Sequence, residues 1–181
     1  MKSKLNILVL ILTLISCKNE SDSKTELVKS TFNLKMDITD FKKKMTVLDT
    51  IMVFFDHSVC TYQGYERIEI TKASDLITVR SEFKEAPFNA NPEWNLLYEK
   101  KLPINDTVWN FEKFIERNAN HDTSENTKRG ILVLAHKKDT IYFSTDGLVD
   151  LNHFLEDYYL TMKKIYPENK NGIYGYELLE K

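Results

Sequence analysis

The stretch Ile68-Glu69-Ile70-Thr71-Lys72-Ala73-Ser74-Asp75-Leu76-Ile77-Thr78-Val79-Arg80-Ser81-Glu82-Phe83 decides the fold. Ile68 and Ile70 alternate with Arg67, Glu69 and Thr71. Ile77, Val79, Ser81 and Phe83 alternate with Thr78, Arg80 and Glu82. A period of two sends successive side chains to opposite faces, so each run reads as a strand with one buried and one polar face. Lys72 to Asp75 supply a turn, and so short a connection permits only antiparallel pairing.

Outward from this hairpin the pattern continues. Ile51 to Phe55 is a continuous apolar run, extended by Val59 and followed by a turn signal at Gln63-Gly64; it predicts a strand buried on both faces and central in the sheet. Glu85 to Pro92, with Pro87 and Pro92, reads as a loop. Trp94, Leu96, Tyr98 and Leu102 then share one strand face up to Pro103. Ile131 to Ala135 and Thr140 to Phe143 form two more strands, joined at Lys137-Lys138-Asp139. Helical spacing appears three times. Asp37 or Thr39 caps a short helix that turns Ile38, Phe41 and Met45 inward. Asn105 or Asp106 caps a second with Val108, Phe111, Phe114 and Ile115 inward. Asp150 caps the third, whose stripe is Leu151, Phe154, Leu155, Tyr158, Met162 and Ile165, and Pro167 stops it. Residues 118–129 are polar and are expected to be a mobile loop; Ile173 to Leu179 are expected to return as a short edge strand. The class is α+β: an antiparallel sheet of about five to six strands with helices packed mainly on one face.

The chain has 181 residues, with 25 basic against 27 acidic side chains mixed along its length. This balance excludes the basic face that nucleic-acid binding favours. Lys42-Lys43-Lys44 is the longest basic run and reads as a solvated helix face.

The N-terminus carries a separate signal. Lys2 and Lys4 precede an apolar run from Leu5 to Ile15. As a helix that run spans about 16 Å, short of the roughly 30 Å of a bilayer core, and suits a signal-peptide core. It ends in Leu14-Ile15-Ser16-Cys17, which resembles the lipobox of bacterial lipoprotein precursors. The resemblance covers residues 1–17 and implies cleavage before Cys17, with a diacylglycerol on the Cys17 thiol. It divides the chain into a signal peptide (1–16), a lipidated polar tether (17–24, extending as far as about 36) and one globular domain (25–181). Two acyl chains are enough for stable attachment to a membrane. Lys18, in place of Asp after the Cys, implies export to the outer membrane. Lys18 followed by acidic residues is also similar to surface-export signals of Bacteroidota lipoproteins, although Asn19 interrupts that pattern. Either the periplasmic face or the cell surface follows.

Once Cys17 is lipidated, Cys60 is the remaining thiol, and no intramolecular disulfide is possible. Asp56, His57 and Cys60 crowd one strand end, but strand alternation points His57 and Cys60 to opposite faces. The histidines His57, His121, His136 and His153 show no metal-ligand spacing. Asp150, His153 and Glu156 share a helix flank and read as a cap with solvated positions; Ser144 and Asp146 read as turn residues. No nucleophile elbow, phosphate loop or dinucleotide fingerprint is present. Most aromatics, Trp94, Tyr98, Phe111 and Tyr158 among them, fall on buried stripes. Trp109 and Tyr159 sit just off theirs, and an exposed aromatic pair there would mark a contact surface.

The expectation is a non-enzymatic envelope lipoprotein without cofactor or metal, held to a membrane through Cys17. Its domain would bind a protein through Trp109 and Tyr159, as an accessory, inhibitor or immunity-like factor; the oligomeric state stays open. The alternatives are a small-ligand or glycan carrier with an aromatic cleft, and a hydrolase. The latter requires His57, His136 or His153 to meet Asp56, Cys60, Ser144 or Asp146 in space.

Overall fold

A computed structural model describes residues 29–59, 62–86, 92–123, 131–169 and 172–174. The element order is α1 (Leu34–Asp37), a 3-10 turn (Ile38–Asp40), α2 (Phe41–Lys44), β1 (Thr50–Asp56), β2 (Gly64–Ala73), β3 (Leu76–Glu85), β4 (Asn95–Pro103), α3 (Phe111–Arg117), a second 3-10 turn (Ala119–His121), β5 (Leu132–His136), β6 (Asp139–Phe143) and α4 (Gly147–Met162). The strands form one six-stranded antiparallel sheet in the order β4-β3-β2-β1-β5-β6. The fold is α+β. Among the described residues no helix is long and apolar enough to cross a membrane.

The β2–β3 hairpin pairs Ala73 with Leu76 and closes through Ser74 and Asp75. Ser74 takes a φ of 54°, the left-handed region that such tight turns require. Lys137 does the same (φ 54°) in the β5–β6 turn. Ile51, Val53 and Phe55, Ile68 and Ile70, Ile77 and Val79, Leu132 and Leu134, and Ile141 and Phe143 all face the helices and are buried. Phe55 stacks on Tyr158 of α4 with ring centroids 3.6 Å apart, and Phe114 of α3 meets both Phe154 and Tyr158 edge-on. Each fully buried side chain of this size contributes about 1.5–3 kcal/mol.

β1 does lie inside the sheet, between β2 and β5. It is not buried on both faces, because the helices cover one side: Phe54 is 40% exposed and Met52 half-buried. In β4 the expected shared face is broken. Ser81 pairs with Tyr98 but Glu82 with Leu96, so Leu97 is an extra residue, a β-bulge. The bulge turns Tyr98 into the core and leaves Leu96 57% exposed on the opposite face.

The caps also differ from expectation. Asn33 caps α1 through the Met36 amide, Asn110 caps α3 through the Lys113 amide, and Asp146 stands at the N-cap of α4. Asp150 lies within the first turn of α4 and accepts the Asp146 amide at 2.7 Å. Because α3 begins only at Phe111, Val108 is outside it and 62% exposed. Ile38, Phe41 and Met45 are buried as their spacing indicates, but Lys42 is not a solvated residue: it is 4% exposed. Its ammonium donates to the carbonyls of Trp109 (2.5 Å) and Asp106 (3.2 Å), and Glu112 lies 3.3 Å away.

Of the polar stretch 118–129, Ala119–His121 is a 3-10 turn and Asp122 bridges to Phe143; residues 124–129 lie outside the described residues. So do the signal, Cys17 and the tether up to residue 28, Cys60, 87–91, and 175–179 of the expected last strand. Within that strand's span Ile173 and Tyr174 form a turn, and Tyr174 is buried.

Candidate functional site

The two faces of the sheet differ in chemistry. On the covered face, Glu66 has the same parity as Ile68 and Ile70 and is 1% exposed. Its Oε1 accepts from Ser81 Oγ (2.5 Å) and from the Tyr174 hydroxyl. Its Oε2 accepts from the Tyr158 hydroxyl (2.8 Å) and faces His57 Nε2 at 3.1 Å. The His57 ring continues the chain, with Nδ1 3.2 Å from the Tyr159 hydroxyl, and Tyr98 meets Tyr174 at 3.3 Å. Four donors thus fill the acceptor sites of two oxygens. Burial, followed by the nearby Glu66 charge, pushes the hydroxyls of Tyr98, Tyr158 and Tyr174 well above the ordinary phenol value, so they remain donors. The cluster is closed to solvent and ties β2, β3 and α4 together.

The other histidines are also committed or separate. His136 Nε2 lies 2.9 Å from Asp49 Oδ1, and both are buried. His121 Nε2 lies 2.9 Å from Asp150 Oδ1, and the hydrogen bond from His121 is the main reason the Asp150 carboxyl sits below its ordinary value. His153 is exposed on α4. None of His57, His136 or His153 is brought to Asp56, Ser144 or Asp146 by a hydrogen bond or ion pair, and Cys60 is outside the described residues. Ser144 reaches His121 only through the backbone, its amide donating to the His121 carbonyl at 3.0 Å. Among the described residues no group of three His, Cys, Asp or Glu side chains is placed to hold a metal.

Trp109 and Tyr159 are not an exposed pair. Trp109 is 1% exposed; it precedes α3, stacks on Phe111 and lies under the Lys42 ammonium. The expectation of exposure failed because it placed Trp109 on a helix that starts two residues later. Tyr159 is half-buried and stacks on His57, on the helix side of the sheet.

The open face carries what the sequence reading missed. Cross-strand register lays its side chains in rows. One row runs Asp56, Tyr65, Lys84 and, just before β4, Trp94; the next runs Tyr142, Val133, Phe54, Arg67, Glu82 and Leu96. Phe54, Tyr65, Lys84, Trp94, Val133 and Tyr142 line a groove of about 490 Å³ across these two rows. The Arg67 guanidinium lies 4.6 Å from the centre of the Trp94 ring. Lys84 Nζ lies 4.9 Å from that ring and 5.3 Å from Tyr65. The neighbouring charges are paired: Arg67 with Glu82 at 2.5 Å, and Arg80 with Glu82 at 2.9 Å. The bonds from Arg80 and Arg67 hold the Glu82 carboxyl below its ordinary value. The groove is a half-exposed aromatic platform with a cation on it. It offers stacking and charge recognition, and among the described residues it presents no nucleophile or paired acid and base. Strand parity would have found it: Phe54, Tyr65 and Tyr142 all carry the outward parity of their strands.

No family model matches this chain, and neither a curated protein nor a solved structure does.

Proposed function

We propose that this chain is a lipid-anchored binding module of the cell envelope: Cys17 carries the membrane anchor, and the open sheet face binds a protein partner. The observation behind this reading is the uncovered half of the sheet. Among the described residues the helices pack on one side, and aromatic side chains gather at one end of the other. Contiguous half-exposed apolar and aromatic side chains on a structured face mark contact surfaces. The chain's entry point fits a tethered role. Ser30 bonds to Asp49 beside the first residue of β1, whereas the groove lies at the far end of that strand, about 20 Å away. The groove therefore lies at the end of β1 remote from where the chain enters the domain. A carrier role is less well supported, because an open sheet face does not enclose a small ligand as carrier pockets do.

A photo-crosslinking side chain at Phe54 or Tyr142, and for comparison at the exposed Leu160 of α4, tests the reading in native membranes. Discrete protein adducts from the two sheet positions and none from Leu160 are expected. Adducts from Leu160 alone, or equally from all three, would reject the open face as the binding surface. Labelled palmitate should enter the wild type and be absent from Cys17→Ala.

A further inference from the structure

The partner's chemistry can be narrowed from Lys84, the groove's lysine, which has no counter-ion among the described residues. Among the described residues Lys84 meets no carboxylate: its ammonium rests over the Tyr65 and Trp94 rings alone. The other cations near it are already paired. Arg67 and Arg80 share Glu82, Arg80 also faces Glu99 at 3.9 Å, and Asp56, in the same row as Lys84, accepts the Ser58 amide at 2.9 Å. A partner that covers the apolar floor must also cover Lys84. Removing an ammonium from water without an anionic or hydrogen-bonding partner is costly, so an apolar or basic surface is rejected there and an acidic one accepted. The Tyr65 and Trp94 rings attract the ammonium and hold it in place, but they carry no net charge to pair with it.

We infer that the groove receives an extended acidic segment of a protein partner, with a carboxylate on Lys84 and apolar side chains against Phe54, Val133 and Tyr142. This rests on the reading of the open face as the binding surface. Two strand spacings and two residues of rise, about 12 Å in all, separate Lys84 from Phe54, close to the roughly 13 Å between same-face side chains four residues apart in an extended segment. A fatty acid has the same charge and an apolar tail, but Phe54 on the groove floor is 40% exposed, and an acyl chain laid there would keep much of its surface in water. Acidic residues outnumber basic ones in the chain, so attraction to a carboxylate is local to this groove and does not extend as long-range steering.

Three short peptides serve as probes: one alternating phenylalanine with glutamate, and the same peptide with glutamine or lysine in place of glutamate. Binding is read from the Trp94 indole resonance and from a titration on the folded protein. The glutamate peptide should bind about tenfold more tightly than the glutamine peptide, the size expected for one charge-assisted hydrogen bond, and the lysine peptide more weakly than either. Lys84→Gln should abolish the glutamate preference, and Lys101→Gln, on the same face but away from the groove, should leave it intact. Unchanged thermal unfolding of both variants confirms that the fold is retained. Equal binding of the glutamate and glutamine peptides, or a preference that survives Lys84→Gln, overturns the acidic-segment assignment. Decanoate binding in the groove more tightly than the glutamate peptide overturns it in favour of a lipid ligand. If the cross-links at Phe54 and Tyr142 still find a partner in those cases, the binding face stands and only its partner's chemistry falls.

Discussion

Glu66 shows how much one residue's surroundings decide. Its position on an alternating strand is enough to turn it inward beside Ile68. What makes that burial tolerable comes from far along the chain: the Tyr158 and Tyr174 hydroxyls, 92 and 108 residues away. Glu66→Gln places an amide nitrogen where hydroxyl donors converge, so at least one donor loses its acceptor. The expected cost is about 2–4 kcal/mol, read as a lower midpoint in urea unfolding at neutral pH. A midpoint within error of the wild type would mean that the cluster contributes no net stability. The same logic applies to Trp109, which was assigned to a helix edge and is instead packed under an ammonium. Its surroundings depend on where α3 begins, and that depends on Asn110, one of several residues in the region able to cap.

At the scale of elements, Lys42 links α2 to the segment leading into α3. Three consecutive lysines look alike in sequence, yet only Lys42 is buried, because the helix turns that position toward Trp109 and Glu112. Burial pushes the Glu112 carboxyl upward, and the Lys42 ammonium partly offsets this. Lys42→Ala removes the cation and leaves a half-buried carboxyl with less compensation. A loss of about 3 kcal/mol is expected. Glu112→Gln added to Lys42→Ala should recover part of that loss, because the pair of substitutions removes both charges together. A double-mutant cycle with purely additive losses would show that the two side chains are not coupled. The bulge in β4 is the other feature of this scale. It reverses which side chains face out from Leu96 toward Trp94, and so sets one wall of the groove. A strict alternation rule cannot foresee an inserted residue, since Trp94, Leu96 and Tyr98 read equally well as one face.

For the whole molecule, the Asp49 cluster joins the incoming chain to the sheet. Ser30, Thr46, His136 and Lys137 all reach its carboxylate. Burial alone would raise the Asp49 carboxyl; the hydrogen bonds from Ser30, Thr46 and Lys137 outweigh it and hold the group well below the ordinary value near 3.8. A carboxyl depressed in the folded state stabilises the fold above the unfolded value, and this contribution is lost as pH falls below about 3.8. Asp49→Asn should therefore lower the melting temperature at neutral pH by about 5 °C or more. The difference from wild type should narrow as the melting series is carried down through pH 4 and below. A constant difference across the series would remove Asp49 from the acid response.

The sequence alone determined the class of this protein. Alternation in β2 and β3 and the stripe on α4 are local periodicities, repeated over enough residues that no single substitution hides them. Short turns then leave antiparallel pairing as the available geometry. The tertiary structure decided which face of the sheet stays open, which of three similar lysines is buried, and which side chains surround Glu66 and Lys84. Those outcomes depend on contacts between residues many tens of positions apart and on the exact start of a helix or a bulge. Local pattern specifies a side chain's direction from its own element; only packing specifies what it meets there.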